Sequence, residues 1–353
     1  MVDSFGNAEQ RERWLPAMCT METMASYCLT EPNAGSDAAN LSTKAVVTPD
    51  GESYVLSGEK AFISGGGSSD LYIVMARTGD GGASGVSCFV VEAAEAIAKG
   101  TLSFGAQEKK LGWNTQPTCA VILDELVVPK VCGLLLRSLL LRLRLAHAGT
   151  RAFANTGKFI AYRRVRMLTV ACLLPSLPPS LPPVSSAHPL PKANRLAGEG
   201  EGFKIAMKGL DGGRLSIGCC SMGAAQACFD KARAHVGIRK QFGAPLSANQ
   251  SVQFKLAEMA TSLTTSRLLL RHAARALDAK ESEARELCAM AKKVATDSGF
   301  AVCNEALQLH GGYGYLRDYG VERFLRDVRV HQILEGTNEI MSVIIGRELT
   351  RNN

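Results

Sequence analysis

The sequence predicts an α+β protein in which an antiparallel β-domain, a small barrel or sandwich, precedes an up-down helical bundle. Residues 27–127 carry short β-branched and aromatic runs: Tyr54-Val55-Leu56, Leu71-Tyr72-Ile73-Val74-Met75, Val86-Ser87-Cys88-Phe89-Val90-Val91 and Ala120-Val121-Ile122-Leu123. Turn clusters such as Pro49-Asp50-Gly51, Gly65-Gly66-Gly67 and Gly79-Asp80-Gly81-Gly82 separate them, the pattern of strands and hairpins. No helical period fills the gaps, which argues against a βαβ sheet. From Gly202 the period changes: Phe203, Met207 and Leu210 fall at i, i+4, i+7, and 256–277 and 284–309 behave alike, as serial amphipathic helices do.

Taken in order, residues 1–26 look like the end of a larger helical unit. Phe5 to Pro16 read as a short helix and a turn with little apolar face of their own. Met1-Val2-Asp3-Ser4-Phe5-Gly6-Asn7 lacks the basic and apolar regions of a secretory leader and the Arg-rich character of an organelle presequence. Residues 27–130 form the β-domain. Residues 131–192 break the composition: seven Arg, two Lys, no acid and seven of the thirteen prolines. This segment carries +9 of the formal +7, leaving −2 for the rest, so the basic balance does not describe a nucleic-acid surface. A Pro175–Pro183 tract cannot extend a helix or a central strand. The segment therefore reads as a disordered insert, such as translated intron; a basic interfacial helix and an insertion with its own fold are the other readings. Residues 193–353 form the bundle, with a helix stop at His310-Gly311-Gly312 and an N-cap at Thr337 or Asn338.

At 353 residues the chain exceeds one average domain, and 46% hydrophobic content excludes general disorder. It has no apolar run of spanning length, so no membrane role is expected. Its eleven cysteines lie largely in apolar runs without a Cys-x-x-Cys pair. That points to reduced thiols in a reducing compartment and to no metal site.

The chemistry concentrates near the end, in His331-Gln332-Ile333-Leu334-Glu335-Gly336-Thr337-Asn338-Glu339, where an acid follows an apolar pair on a Gly-Thr turn. Such a setting suits a carboxylate desolvated enough to act as a base. With Gln308-Leu309-His310-Gly311-Gly312-Tyr313-Gly314-Tyr315 and Tyr27-Cys28-Leu29-Thr30-Glu31-Pro32, the chain resembles the acyl-CoA dehydrogenase family over residues 1–130 and about 193–353.

The resemblance implies an N-terminal helical domain, here mostly missing, a middle β-domain that binds flavin and acyl-CoA, and a C-terminal four-helix domain. It implies a homotetramer in the mitochondrial matrix, FAD as cofactor, an acyl-CoA substrate and electron-transfer flavoprotein as partner. Glu335 matches the base that takes the α-proton, and its backbone N–H would help to hold the thioester oxygen. Tyr27, Thr30 and Ser36 match the loop at the flavin ring, with Ser36 also near the acyl-CoA; alone, that stretch is an ordinary strand-end turn. Phe62, Ile63 and Ser64 match a second flavin contact. Arg239, with Asn249 and Gln250, matches the segment at the FAD pyrophosphate and adenine, where a guanidinium fork suits phosphate. Gln308, Leu309, His310, Gly311 and Gly312 match a segment that reaches the FAD of a neighbouring subunit. Thr337, Asn338 and Glu339 match further FAD contacts. Asp211, Gly212, Gly213, Arg214 and Arg347 match acyl-CoA contacts; for Arg347 a helix-end charge is a rival reading. Some relatives carry the base on the helix around 209–214, where this chain has glycines, which favours Glu335.

Cys19-Thr20-Met21-Glu22 and Lys110-Leu111-Gly112-Trp113-Asn114 point within the family to a short branched-chain substrate, isobutyryl-CoA going to methacrylyl-CoA. Isovaleryl, other short branched and straight short chains are the alternatives. A catalytically inactive truncated isoform that binds partner subunits is a second reading of a different kind, and an oxidase that passes electrons to oxygen is a third.

Overall fold

The computed structural model describes residues 1–129 and 194–351; the 131–192 segment lies outside the described residues. Helices α1 (Val2–Phe5) and α2 (Ala8–Cys19) open the chain. Asn7 caps α2: its side chain accepts from Gln10 N at 2.8 Å while Gln10 Oε1 accepts from Asn7 N at 3.0 Å, a reciprocal box that satisfies two free helix-end donors. The sequence reading of a short helix and a turn over Phe5 to Pro16 is corrected, because α2 runs from Ala8 through Pro16 to Cys19. So is the reading of little apolar face. Val2 and Trp14 are buried against the sheet and the first bundle helix, and Trp14 Nε1 donates to Glu92 at 2.8 Å.

The strands are β1 (Ala25–Cys28), β2 (Lys44–Val47), β3 (Ser53–Ser64), β4 (Leu71–Arg77), β5 (Val86–Glu92), β6 (Leu102–Phe104), β7 (Thr118–Pro129) and β8 (Arg195–Leu196), with helix α3 (Ala93–Ala98) after β5. They form one sheet in the order β6-β7-β3-β2-β4-β5-β8, with β1 also on β4. Pairing is antiparallel except that β1 and one residue pair of β2 run parallel to β4. The sheet curls. Tyr54 on β3 and Phe89 on β5 stack edge-on at 4.9 Å, although three strand steps of about 4.8 Å would separate them by roughly 14 Å in a flat sheet. Inward residues such as Leu56, Val74, Val91, Val121 and Leu123 fill this curl. β4 and β5 are buried on both faces, because α2 and the bundle cover their outer side. That double burial explains their continuous apolar runs.

The bundle comprises α4 (Gly202–Ile238), α5 (Gln250–Ala279), α6 (Ala284–His310), α7 (Val321–Val328) and α8 (Asn338–Thr350), with a small hairpin of β9 (Lys240–Gln241) and β10 (Ala244–Pro245) between α4 and α5. Helix α5 stops at Lys280, whose φ of 57° turns the chain sharply into α6, so the two lie side by side and antiparallel. Helix α6 packs on α4, α5, α7 and α8. Its buried stripe is small, with Cys288, Ala291, Ala295, Cys303 and Ala306, which lets its neighbours come close. It ends at His310 with Gly311 at φ 59°, and Thr337 caps α8, both as the sequence predicts.

Candidate active site

A cavity of about 680 Å³ opens between the curled sheet and the bundle. The sheet side supplies Tyr27, Thr30, Ser36, Phe62, Ile63 and Ser64; the bundle side supplies Arg214, Glu335 and Arg347. Residues more than 300 positions apart in sequence thus share one wall-to-wall space.

Glu335 stands on a corner. The 3₁₀ turn Arg329–Gln332 leads in, and α8 leads out. Glu335 has φ 58° and Gly336 has φ 88°. A left-handed conformation costs a residue with a Cβ about 1–2 kcal/mol, so the corner is held by its surroundings. Burial drives the Glu335 carboxyl above its ordinary range, and the cationic Arg214 and Lys292 nearby offset part of that rise. Arg214 Nε donates to the Glu335 carbonyl at 3.4 Å, and Arg214 Nη1 pairs with Asp211 at 2.8 Å. This Arg–Asp pair is buried, and burial raises the Asp211 carboxyl despite its partner.

Gly213 explains why the carboxylate fits. A Cβ built at Gly213 would collide with Glu335 Oε2 and come within 2.7 Å of Cδ, whereas at Gly212 it meets nothing. Gly213→Ala is therefore expected to push the carboxylate aside and lower kcat by about 10–100-fold. In a helix interior the same change carries a propensity gain of about 1 kcal/mol, so the melting temperature is expected to hold. Unchanged turnover in this variant would show that the carboxylate does not work from this position.

The sheet wall has features that fit a flat polar–aromatic group. Tyr27 Oη is buried without a hydrogen-bond partner among the described residues, and burial holds its phenol well above the ordinary value. Phe62 is 65% exposed at φ 57°, an aromatic ring presented on a strained corner beside buried Ile63. The loop behind them is fastened by Glu31, which accepts from Ser42 N, Ser42 Oγ, Thr43 N, Thr43 Oγ1 and Lys60 Nζ at 2.5–3.0 Å. On the opposite side, Trp113 N donates to Asp327 Oδ1 at 2.5 Å and the Trp113 ring lies edge-on to His331 at 4.8 Å. That contact ties the sheet domain to the turn carrying Glu335.

A second cavity, of about 440 Å³, gathers Arg239, Gln308, Leu309, His310, Gly311 and Gly312. It also holds a stacked His235–His310 pair at 4.5 Å, with Arg239 over Tyr313 at 5.3 Å. Twelve of the seventeen residues matched to the cofactor therefore line two separate cavities, six in each. Asn249 caps α5 by accepting from Ser251 N, and Gln250 starts that helix exposed; neither lines a cavity described here. Thr337 is a helix cap and Glu339 points to solvent. Asn338 is buried, with Nδ2 donating to Thr296 and Asp297 and Oδ1 accepting from Lys292. Sequence reasoning gave no role to Glu31, Lys60 and Lys292, nor to Arg285, which also lines the main cavity. For Lys292 a signal existed, since the spacing of Cys288, Ala291, Ala295 and Gly299 puts position 292 on the buried stripe of α6. Among the described residues no cluster of three or more metal-ligating side chains occurs, and no helix is long and apolar enough to cross a membrane.

A curled sheet and a helical bundle with a half-buried acid between them define a class. Residues 26–126 match the acyl-CoA dehydrogenase middle domain and residues 200–350 match the acyl-CoA dehydrogenase C-terminal domain. The chain belongs to the acyl-CoA dehydrogenase family, whose members are flavoproteins. It is 47% identical over 99% of its length to mitochondrial isobutyryl-CoA dehydrogenase of Bos taurus, covering 68% of that protein. It is 45% identical over 100% of its length to mitochondrial isobutyryl-CoA dehydrogenase of Dictyostelium discoideum, covering 69%. The solved butyryl-CoA dehydrogenase from Megasphaera elsdenii superposes with a TM-score of 0.78 at 31% identity, covering 99% of this chain and 73% of that one.

Proposed function

We propose that this chain dehydrogenates a short branched-chain acyl-CoA across Cα–Cβ, converting isobutyryl-CoA to methacrylyl-CoA with FAD as its cofactor. The observation that carries this is the desolvated Glu335 carboxylate facing Tyr27, Thr30 and Phe62 across one cavity; the two relatives named above support the choice of acyl group.

Glu335 removes the α-proton. Its raised pKa makes it a stronger base than a solvated carboxylate, as a weak carbon acid requires. The Glu335 backbone N–H lies at the same corner and is a donor for the thioester oxygen, where negative charge develops. Phe203, Met207, Leu210 and Ile344 make the apolar wall for the acyl group and exclude water. Thr30, Ser64 and the unpartnered Tyr27 hydroxyl are the polar groups available to the cofactor, with Phe62 for its ring. FAD, when bound, supplies the acceptor for the β-hydrogen as hydride. Electron-transfer flavoprotein would take the electrons onward, and the mitochondrial relatives favour a matrix location. The second cavity, with Arg239 and Gln308–Gly312, serves the cofactor of another copy in a homotetramer.

Anaerobic addition of isobutyryl-CoA to the purified flavoprotein is expected to bleach its yellow absorbance faster than isovaleryl-CoA or butyryl-CoA does. Bound flavin that no acyl-CoA bleaches would sink the reading, and a preparation that takes up no flavin would favour a non-catalytic subunit.

A further inference from the structure

Lys292 is fully buried in α6, at 0% exposure. The other fully buried lysine among the described residues, Lys60, has a carboxylate 2.7 Å away. Lys292 forms no ion pair within 4.0 Å among the described residues. It donates instead to three acceptors that bracket the base: the Gln332 carbonyl at 3.2 Å, the Gly336 carbonyl at 2.8 Å and Asn338 Oδ1 at 2.7 Å. These acceptors lie before and after Glu335 in sequence.

We infer that Lys292 is a positioning residue for the reaction: its ammonium group pins both ends of the Gln332–Asn338 corner and sets the electric field at the Glu335 carboxylate. This inference rests on Glu335 being the base. Two physical points carry it. A buried ammonium without an ion-pair partner is costly to keep, and an apolar residue on the small-residue stripe of α6 would avoid that cost. The strained Glu335 corner also needs an external hold, and all three bonds of Lys292 fall on it. Charged and titratable groups face this ammonium from α4, α6, α8 and the turn that carries Glu335. Arg214 on α4 opposes it, Asp297 on its own helix and Glu339 on α8 attract it, and Glu335 attracts it from the corner, while His331 on the incoming turn, lowered to about 4 chiefly by burial, is uncharged at neutral pH. Burial lowers the Lys292 pKa to about 8, so the group is mostly cationic at neutral pH.

Removing this charge takes a stabilising cation away from the Glu335 carboxylate, so the Glu335 pKa must rise. Activity needs the deprotonated carboxylate, so the acid limb of the kcat/KM profile moves to higher pH. Lys292→Met is expected to keep bound flavin, to move that limb up by about one pH unit and to lower kcat by about 10–100-fold through misplacement of the base. Lys292→Gln keeps N–H donors without the charge. It is expected to recover most of kcat while its acid limb stays shifted. An unmoved limb in either variant, or a kcat of Lys292→Met within about twofold of the parent, overturns the inference. Should Lys292→Met fail to fold, the limb of Lys292→Gln decides. Glu335→Gln measured alongside separates the two levels, since retained turnover in that variant defeats the base assignment itself.

Discussion

Glu335→Gln is expected to lower kcat/KM for isobutyryl-CoA by about 10²–10⁴-fold, the usual contribution of a positioned general base, with bound flavin retained. Glutamine matches the carboxylate in shape, so it fits beside Gly213 and leaves the Arg214 contact to the 335 carbonyl intact. What it lacks is a basic oxygen. Burial destabilises the charged form of Glu335 more than Arg214 and Lys292 restore it. The acid limb of the parent enzyme is therefore expected above the ordinary carboxylate value of 4.5, with activity falling as pH drops through it. A stopped-flow record of flavin bleaching checks both points. Bleaching at the parent rate in Glu335→Gln would remove the acid from the chemistry.

Lys60→Met is expected to destabilise the β-domain by about 3–5 kcal/mol, the penalty for stranding a buried charge. Glu31 is 4% exposed and accepts from four donors of Ser42 and Thr43 besides Lys60. Burial pushes its carboxyl up, but the Lys60 ammonium and these donors outweigh it and hold the group at about 2, against 4.5 ordinarily. A carboxyl lowered on folding stabilises the fold above its unfolded pKa and loses that contribution as pH falls towards the folded value. Stability should thus decline between about pH 4.5 and 2 by roughly 3 kcal/mol through this group alone, and Glu31→Gln should flatten that slope. Denaturant melts across that range test it. A Lys60→Met protein as stable as the parent would show that the five-donor cluster does not hold the loop carrying Thr30 and Ser36.

Much of this was legible in the residues. Short apolar, β-branched and aromatic runs between turn clusters marked β3, β4, β5 and β7, and helical spacing marked α4 to α6, because burial of one helix face writes a period into the sequence. The Glu335 corner was legible through its Gly-Thr turn, and the paired sides of the main cavity through the resemblance. The Lys292 and Lys60 networks were not. Spacing puts position 292 on a buried stripe, but only the fold shows which carbonyls and carboxylates surround either lysine. The docking of Trp14 was likewise hidden, since its partner Glu92 lies on a distant strand. The division between two cavities of the residues matched to the cofactor was visible only as a family expectation, because linear spacing does not say which side of a helix bundle a loop reaches.

The outer margin of β5 is completed by a strand from much later in the chain. Asn194 exchanges bonds with Val90 in both directions, at 2.7 and 2.8 Å, across 104 positions, and Cys88 and Phe89 pair with Leu196 and Arg195. During synthesis the ribosome must therefore release an apolar ribbon whose backbone groups stay open until residue 196 emerges. Over that interval nascent chains can add to one another along β5, so recovery of soluble protein should respond to translation speed and to holdase chaperones.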